Sequence, residues 1–137
     1  MAEAVYDPKK VLLNLNGITI TGFAEGDKIT IEPVTKEDMK SFAGIDGDVT
    51  FAKVNDDRHT VTFTLKAESP YNKLLDGYRK LTAPIAVMVT NTSGGKYLGG
   101  GIGAYIVEKP SDKFGADAPV REWKLLVPKY SSAALPE

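Results

Sequence analysis

The sequence predicts a mainly β fold, a β-sandwich or partly closed β-barrel with one flanking α-helix. Three observations lead there. Apolar residues alternate with polar ones at period two, as strands buried on one face require. Thirteen glycines and eight prolines in 137 residues break the apolar runs at short intervals, which favours strands and turns over helices. One stretch repeats its apolar residues at helical spacing instead. Hydrophobic content of 42% with 26% charged residues is a globular composition, and a chain of this length buries one core. Residues 1–137 are therefore read as a single domain.

Residues 1–9 form an N-terminal arm. A short apolar strand at 10–15 ends at Asn16-Gly17, a dipeptide suited to a type I′ hairpin because both central residues need positive φ. Ile18-Thr19-Ile20-Thr21 alternates strictly, 22–27 is a turn or bulged connection, and 28–32 repeats the alternation until Pro33 ends it. Residues 34–48, polar and glycine-containing, read as a long loop in which Thr35 and Asp38 are spaced to cap a short helical turn. The clearest hairpin is 49–54 with 59–66, joined by the turn Asn55-Asp56-Asp57-Arg58.

The helix spans 69–82, with Ser69 as N-cap, Pro70 in the first position and Tyr71, Leu74, Leu75 and Tyr78 on one face. Residues 85–91 are almost all apolar, to be buried on both faces or on one face and against another subunit. A turn at Thr92-Ser93-Gly94-Gly95 leads into a long strand, 96–108, bent at Gly99-Gly100-Gly101. Residues 110–119 read as a loop. The last strand, 121–127, carries Trp123, Leu125 and Val127 on one face, and 128–137 is a loose tail or arm.

Catalytic and metal chemistry find little support. There is no cysteine, which excludes disulfides, thiolate metal sites and thiol catalysis. His59, the sole histidine, starts a strand and has no nucleophile elbow to serve. Carboxylates at Glu37-Asp38, Asp46 with Asp48, and Asp56-Asp57 lack the calcium-loop order and read as solvated turns. A glycosidase pair needs two facing carboxylates, and nothing in the sequence selects them. Gly94-Gly95-Lys96 is followed by Tyr97 rather than Ser or Thr, and the glycines at 99–103 sit inside a strand, so neither is a phosphate loop. The expectation is a non-enzyme with no cofactor and no metal. A net charge of -1 and pI near 5.9 lack the basic surplus with which proteins grip nucleic acid. No signal peptide is visible, and no apolar run reaches the roughly 18–20 residues that span a bilayer. A soluble product made in the cytoplasm, without membrane insertion, is expected.

The threonines form the most informative pattern. Thr19, Thr21, Thr30, Thr50, Thr60, Thr62 and Thr64 alternate with isoleucine, valine, phenylalanine and leucine, giving one apolar face and one face of uncharged hydroxyls. Threonine favours strands in any case. Free solvent faces, however, carry more lysine and glutamate, and a smooth hydroxyl face suits the inner wall of a channel.

Tyr6-Asp7-Pro8, Val11, Asn16-Gly17 and Ile20-Thr21-Gly22-Phe23-Ala24-Glu25-Gly26 resemble the start of phage tail tube proteins of the contractile-tail and prophage type. Gly44-Ile45-Asp46-Gly47-Asp48, Thr62-Phe63-Thr64-Leu65 and Ser69-Pro70-Tyr71-Asn72-Lys73-Leu74-Leu75 extend the resemblance over roughly the first 80 residues. It implies a tail-tube-type fold, shared with the type VI secretion inner tube, and hexameric rings of identical copies stacked into a tube. It also implies sheath, tape-measure and baseplate proteins as partners, and a place in the tail of a virion assembled in the host cytoplasm. Double-stranded DNA would pass through the lumen without specific binding.

On this reading strands 18–32 and 49–66 line the lumen with Thr19, Thr21, Thr30, Glu32, Thr50, Thr60, Thr62 and Thr64. Tyr6, Asp7, Pro8, Lys36, Glu37, Asp38, Met39 and Phe42 contact the next ring, and the helix faces the sheath. One alternative is a tube subunit of a contractile injection or secretion system. Another is a monomeric β-barrel ligand-binding module, for which Tyr97, Tyr105, Trp123 and Tyr130 would supply an aromatic patch.

Overall fold

A computed structural model of the chain describes residues 5–24, 28–116 and 118–134. Parts of the expected N-terminal arm, of the 22–27 connection and of the C-terminal tail lie outside the described residues. The strands are β1 (Val11–Leu15), β2 (Ile18–Thr19), β3 (Ile29–Pro33), β4 (Met39–Ala43), β5 (Val49–Lys53) and β6 (His59–Lys66). Helix α1 (Tyr71–Leu81) follows, then β7 (Ile85–Asn91), β8 (Tyr97–Ile106), β9 (Ser111–Lys113), β10 (Val120–Val127) and β11 (Ser131–Ala134). The mainly β fold with one helix is what the alternation predicts.

A single antiparallel sheet runs in the order β2-β1-β7-β8-β10-β6-β3. The chain itself joins the two ends of this sheet. Ile20 N–H still donates to Leu13 O beside β1 (2.8 Å), whereas Phe23 already bridges Leu65 on β6. The sheet therefore curls into a partly closed barrel, which removes most of its free edge. Inside lie Leu13, Leu15, Val61, Phe63, Leu65, Val87, Val89, Trp123, Leu125 and Val127, all buried. Each contributes about 1.5–3 kcal/mol relative to exposure.

Local rules account for the first turn. Asn16 and Gly17 have φ of 53° and 82°, the positive pair a type I′ turn needs, and Asn16 Oδ1 accepts from Ala86 N–H (2.8 Å). The helix cap is different from the expectation. Ser69 Oγ does not cap the helix; it donates to Thr21 O (3.1 Å) across 48 residues of chain. Pro70 takes the cap position, and Thr82 ends the helix in the left-handed region with φ 50°. Buried Asn72 fastens α1 to the barrel. Its Oδ1 accepts from Trp123 Nε1 (2.9 Å), and its Nδ2 donates to the carbonyls of Lys66, Ala67 and Ser69. Arg121 reinforces the contact, pairing with Asp76 at 2.8 Å while lying over the Trp123 ring.

Three sequence expectations need correction. Residues 131–134 are not a loose tail: β11 continues beside β8, with Ser131 opposite Gly100 in the register that sets Leu126 opposite Tyr105. The loop 110–119 contains β9, paired to β10. Strand β7 buries one face, Ile85, Val87 and Val89, as one of the two expected arrangements has it, and leaves Met88 49% exposed. The irregularity in β8 falls after the glycine run: Ile85 faces Ala104 but Val87 faces Gly101, and Gly103 has φ 74°. Glycines at 99–101 keep the ladder, and the positive φ that releases strain is at 103.

Candidate functional site

The pairing of the central strands departs most from the local reading. Segments 49–54 and 59–66 do not form a hairpin with each other. Strand β6 lies between β3 and β10, and β5 pairs with β4. The registers are continuous. Ile29 faces Phe63 and Pro33 faces His59; ten residues beyond Ile29, Met39 faces Lys53, ten before Phe63, and Ala43 faces Val49. Strands β3 and β4 are thus one arm of a long hairpin and β5 and β6 the other. The base is built into the barrel, and the outer half, β4–β5, projects from it. The stretch 34–48, expected as a long loop, supplies a strand and the tip.

All ten residues of β4 and β5 are exposed. Met39, Val49 and Phe51 share one face of the projecting arm, and Phe42 lies on the other beside Thr50; each of these four hydrophobics is 53–64% exposed. Ile45 at the tip is fully exposed. The tip closes through Gly44 N–H to Asp48 O (2.7 Å) and Gly47 N–H to Gly44 O (3.1 Å). A lone two-stranded ribbon is marginal in water, and this one exposes apolar residues on both of its faces.

Between base and arm the ladder lapses to two bonds, Val34 N–H to Arg58 O (3.0 Å) and Val54 N–H to Asp38 O (2.8 Å). Asp56 occupies this joint. Its carboxylate accepts from Thr35 Oγ1 on the opposite strand (2.6 Å), from Arg58 Nε and Nη2 (both 2.9 Å) and from Arg58 N–H (3.2 Å). Those bonds, from Arg58 first and then Thr35, hold the Asp56 carboxyl well below the usual carboxylate range and raise the Arg58 guanidinium in turn. Next to it, Asp57 O accepts from Tyr130 N–H (3.1 Å) and lies 2.9 Å from His59 Nδ1. The joint is tied to the point where β10 becomes β11. Thr35 therefore serves the joint rather than capping a helical turn.

The sequence-derived site residues distribute as follows. Thr30, Glu32, Thr60, Thr62 and Thr64 share the outer face of β3 and β6, with Thr30 beside Thr62 and Glu32 beside Thr60. Strand β10 adds Glu122 next to Thr64 and Lys124 next to Thr62, so this face is not purely hydroxyl. Lys124 sits between Glu108 (3.7 Å) and Glu122 (3.9 Å). Thr19 is elsewhere, donating to Asn14 Oδ1 (2.6 Å) beside β1; Thr21 lies in the crossover; Thr50 is on the projecting arm. Lys36, Glu37, Asp38, Met39 and Phe42 come together along the joint and first strand of the arm. Tyr6, Asp7 and Pro8 do not join them. They are held to the turn after β7, where Ser93 Oγ accepts from Asp7 N–H (3.0 Å) and Gly94 N–H donates to Val5 O (2.7 Å).

A surface free of charged side chains lies outside β1, β7, β8 and β11. It is a groove of about 620 Å³ bordered by Asn14, Met88, Leu98, Gly100, Ile102 and Ser131, and no charged side chain lines it among the described residues. From sequence, Leu98 and Ile102 fall in a long strand with no face assigned to them, so this groove is not found. The aromatic patch that a binding module would require is not formed. Trp123 and Tyr130 are buried, and the Tyr97 hydroxyl is hydrogen-bonded to that of Tyr130. Among the described residues no cluster of three carboxylate or imidazole side chains could hold a metal ion, and no helix is long and apolar enough to cross a membrane.

No family model matches this sequence, and no curated protein matches it. Solved structures do match over nearly the whole chain. A chain of the tube-terminating cap of the anti-feeding prophage superposes with a TM-score of 0.71 at 9% identity, covering 98% of this chain and 95% of that one. A chain of the sheath/tube terminator of the extracellular contractile injection system PVC gives 0.64 at 13% identity, over 98% and 100%. A chain of the extended PVC sheath–tube complex gives 0.62 at 13% identity, over 96% and 93%. The fold is that of the tail-tube type. At these identities the likeness is one of fold.

Proposed function

We propose that this chain is a non-catalytic structural subunit of a contractile tail or injection particle, whose copies form hexameric rings that stack as, or cap, the inner tube. The observation that carries the reading is the β4–β5 arm. It extends from a partly closed barrel, is covered by none of the described residues, and exposes apolar residues on both faces. The same chain carries the uncharged groove, a surface of different shape. Two unlike apolar surfaces on one molecule are the condition for heterologous contacts between identical copies, which close into rings or extend as filaments.

The fold likeness supports this reading, because the matched structures come from sheath, tube, cap and baseplate assemblies. Sheath, tape-measure and baseplate proteins are the corresponding partners. In a phage tail the lumen would carry DNA past the weakly charged face of Thr30, Thr60, Thr62 and Thr64. Few phosphate contacts there would keep passage free of salt-dependent sticking.

The higher TM-score to the prophage cap, 0.71 against 0.62 for the sheath–tube complex, favours a second reading in which the chain forms the terminating ring. Negative-stain electron microscopy of the purified protein across a concentration series separates the two. Long hollow tubes are expected of a tube subunit and single rings of a terminator. A monomer at every concentration would overturn both.

A further inference from the structure

We propose that Asp56 is a positioning residue for assembly: its carboxylate locks the joint between barrel and arm, so that β4–β5 is presented to the neighbouring copy in one direction. The inference rests on the reading of the arm as the element that joins copies. It concerns how that element is aimed.

The joint is where the hairpin is weakest. Paired registers stop at Pro33 with His59 and resume at Met39 with Lys53. Pro33 offers no N–H to the ladder, and only two backbone bonds cross the gap. Left so, the gap would act as a hinge. Beyond it each strand runs about seven residues to the tip, roughly 23 Å of lever at 3.3 Å per residue. A swing of about 20° at the joint would move the tip by about 8 Å, farther than the spacing between two neighbouring strands.

Asp56 closes the gap with side-chain bonds. Thr35 on one strand and Arg58 on the other both donate to the same carboxylate, so one group ties the two strands together across the lapse. The Arg58 contact is two-pronged, the geometry that fixes orientation as well as distance. The clasp has a footing in the barrel: Asp57 O holds Tyr130 N–H, and the His59 ring lies 4.9 Å from the Tyr130 ring. Asp56, Thr35 and Arg58 themselves lie outside the buried core, so the clasp serves the arm's direction more than the fold. Fixing that direction beforehand removes the ordering cost that a free arm would meet on docking.

The chain has no cysteine, so two can be introduced for spin labels without interference. Labels at Ile45→Cys on the tip and Lys73→Cys on the helix report the arm's direction by pulsed electron paramagnetic resonance at dilution. Assembly of the unlabelled proteins is followed by sedimentation. With Asp56 intact, one narrow distance distribution is expected. Asp56→Ala is expected to broaden it, to raise the concentration needed for assembly at least tenfold, and to leave the barrel's melting temperature unchanged. Asp56→Asn, which keeps an acceptor oxygen for Thr35, is expected to fall between. An unchanged distribution in Asp56→Ala would overturn the clasp. A broadened one with unchanged assembly would overturn its role in joining copies. Failure of the unsubstituted protein to assemble would instead overturn the tube reading, and with it that role.

Discussion

Asn72 shows how much one side chain can carry. It faces the Trp123 indole on one side and the carbonyls of Lys66, Ala67 and Ser69, just ahead of the helix, on the other. Asn72→Leu keeps the volume but removes the acceptor of Trp123 Nε1 and the side-chain donor to Ala67 O, while Lys66 O and Ser69 O keep backbone donors. A loss of about 2–4 kcal/mol is expected from buried groups left without partners, measured as a lower urea midpoint with unchanged slope. Gly22 is constrained twice over: its φ is 83°, and a Cβ there would lie 2.8 Å from Ser69 Oγ. Gly22→Ala should cost about 1–3 kcal/mol by thermal denaturation. Asp56 makes a prediction about pH. Its carboxyl is depressed by hydrogen bonds from Arg58 and Thr35, so what it adds is fully present above the ordinary carboxylate pKa of about 4 and is lost only well below it. The ¹³C carboxyl shift of Asp56 should therefore stay flat from neutral pH to about 3 while unpaired aspartates titrate. An Asp56 midpoint near 4 would mean an open joint.

At the scale of elements, the decisive piece is the arm. Replacing Met39 and Phe51 together by Asp puts charges on one face of it, where neither residue touches the barrel. The expected product is a folded monomer with an unchanged near-ultraviolet spectrum and no rings or tubes; assembly at wild-type concentration would exclude that face from the contact. Local pattern made some elements legible and hid others. Asn16-Gly17, the helix from Tyr71 and the apolar faces of β6 and β10 follow from turn chemistry and periodicity, which neighbouring residues determine. The arm does not. Asn55-Asp56-Asp57-Arg58 has the composition of a tight turn, and alternation on both sides completes the illusion of a hairpin. What decides otherwise is pairing with residues 29–43, a choice made by register over a distance of chain. The polar stretch 34–48 hid β4 for a related reason, since a strand exposed on both faces has no apolar alternation to show. Likewise β11, of small residues, has no apolar alternation to show; it is found by its pairing with β8.

The whole molecule is a barrel closed by its own crossover, with a helix locked on by Asn72 and a hairpin arm that exceeds its body. The barrel class was readable from composition and period. The threonine face was readable in part: Thr30, Thr60, Thr62 and Thr64 do share a surface, but alternation within a strand cannot reveal that β10 brings Glu122 and Lys124 onto it. The partly closed barrel buries its own core, whereas the arm exposes apolar residues on both faces, and this asymmetry is the physical case for assembly. The central claim is that identical copies build a ring-based tube or its cap through that arm. Electron microscopy of the purified protein against the Met39→Asp, Phe51→Asp variant tests it most directly. The account predicts rings or hollow tubes for the first and dispersed monomers for the second. Monomers in both samples at every concentration, or rings in both, would contradict it.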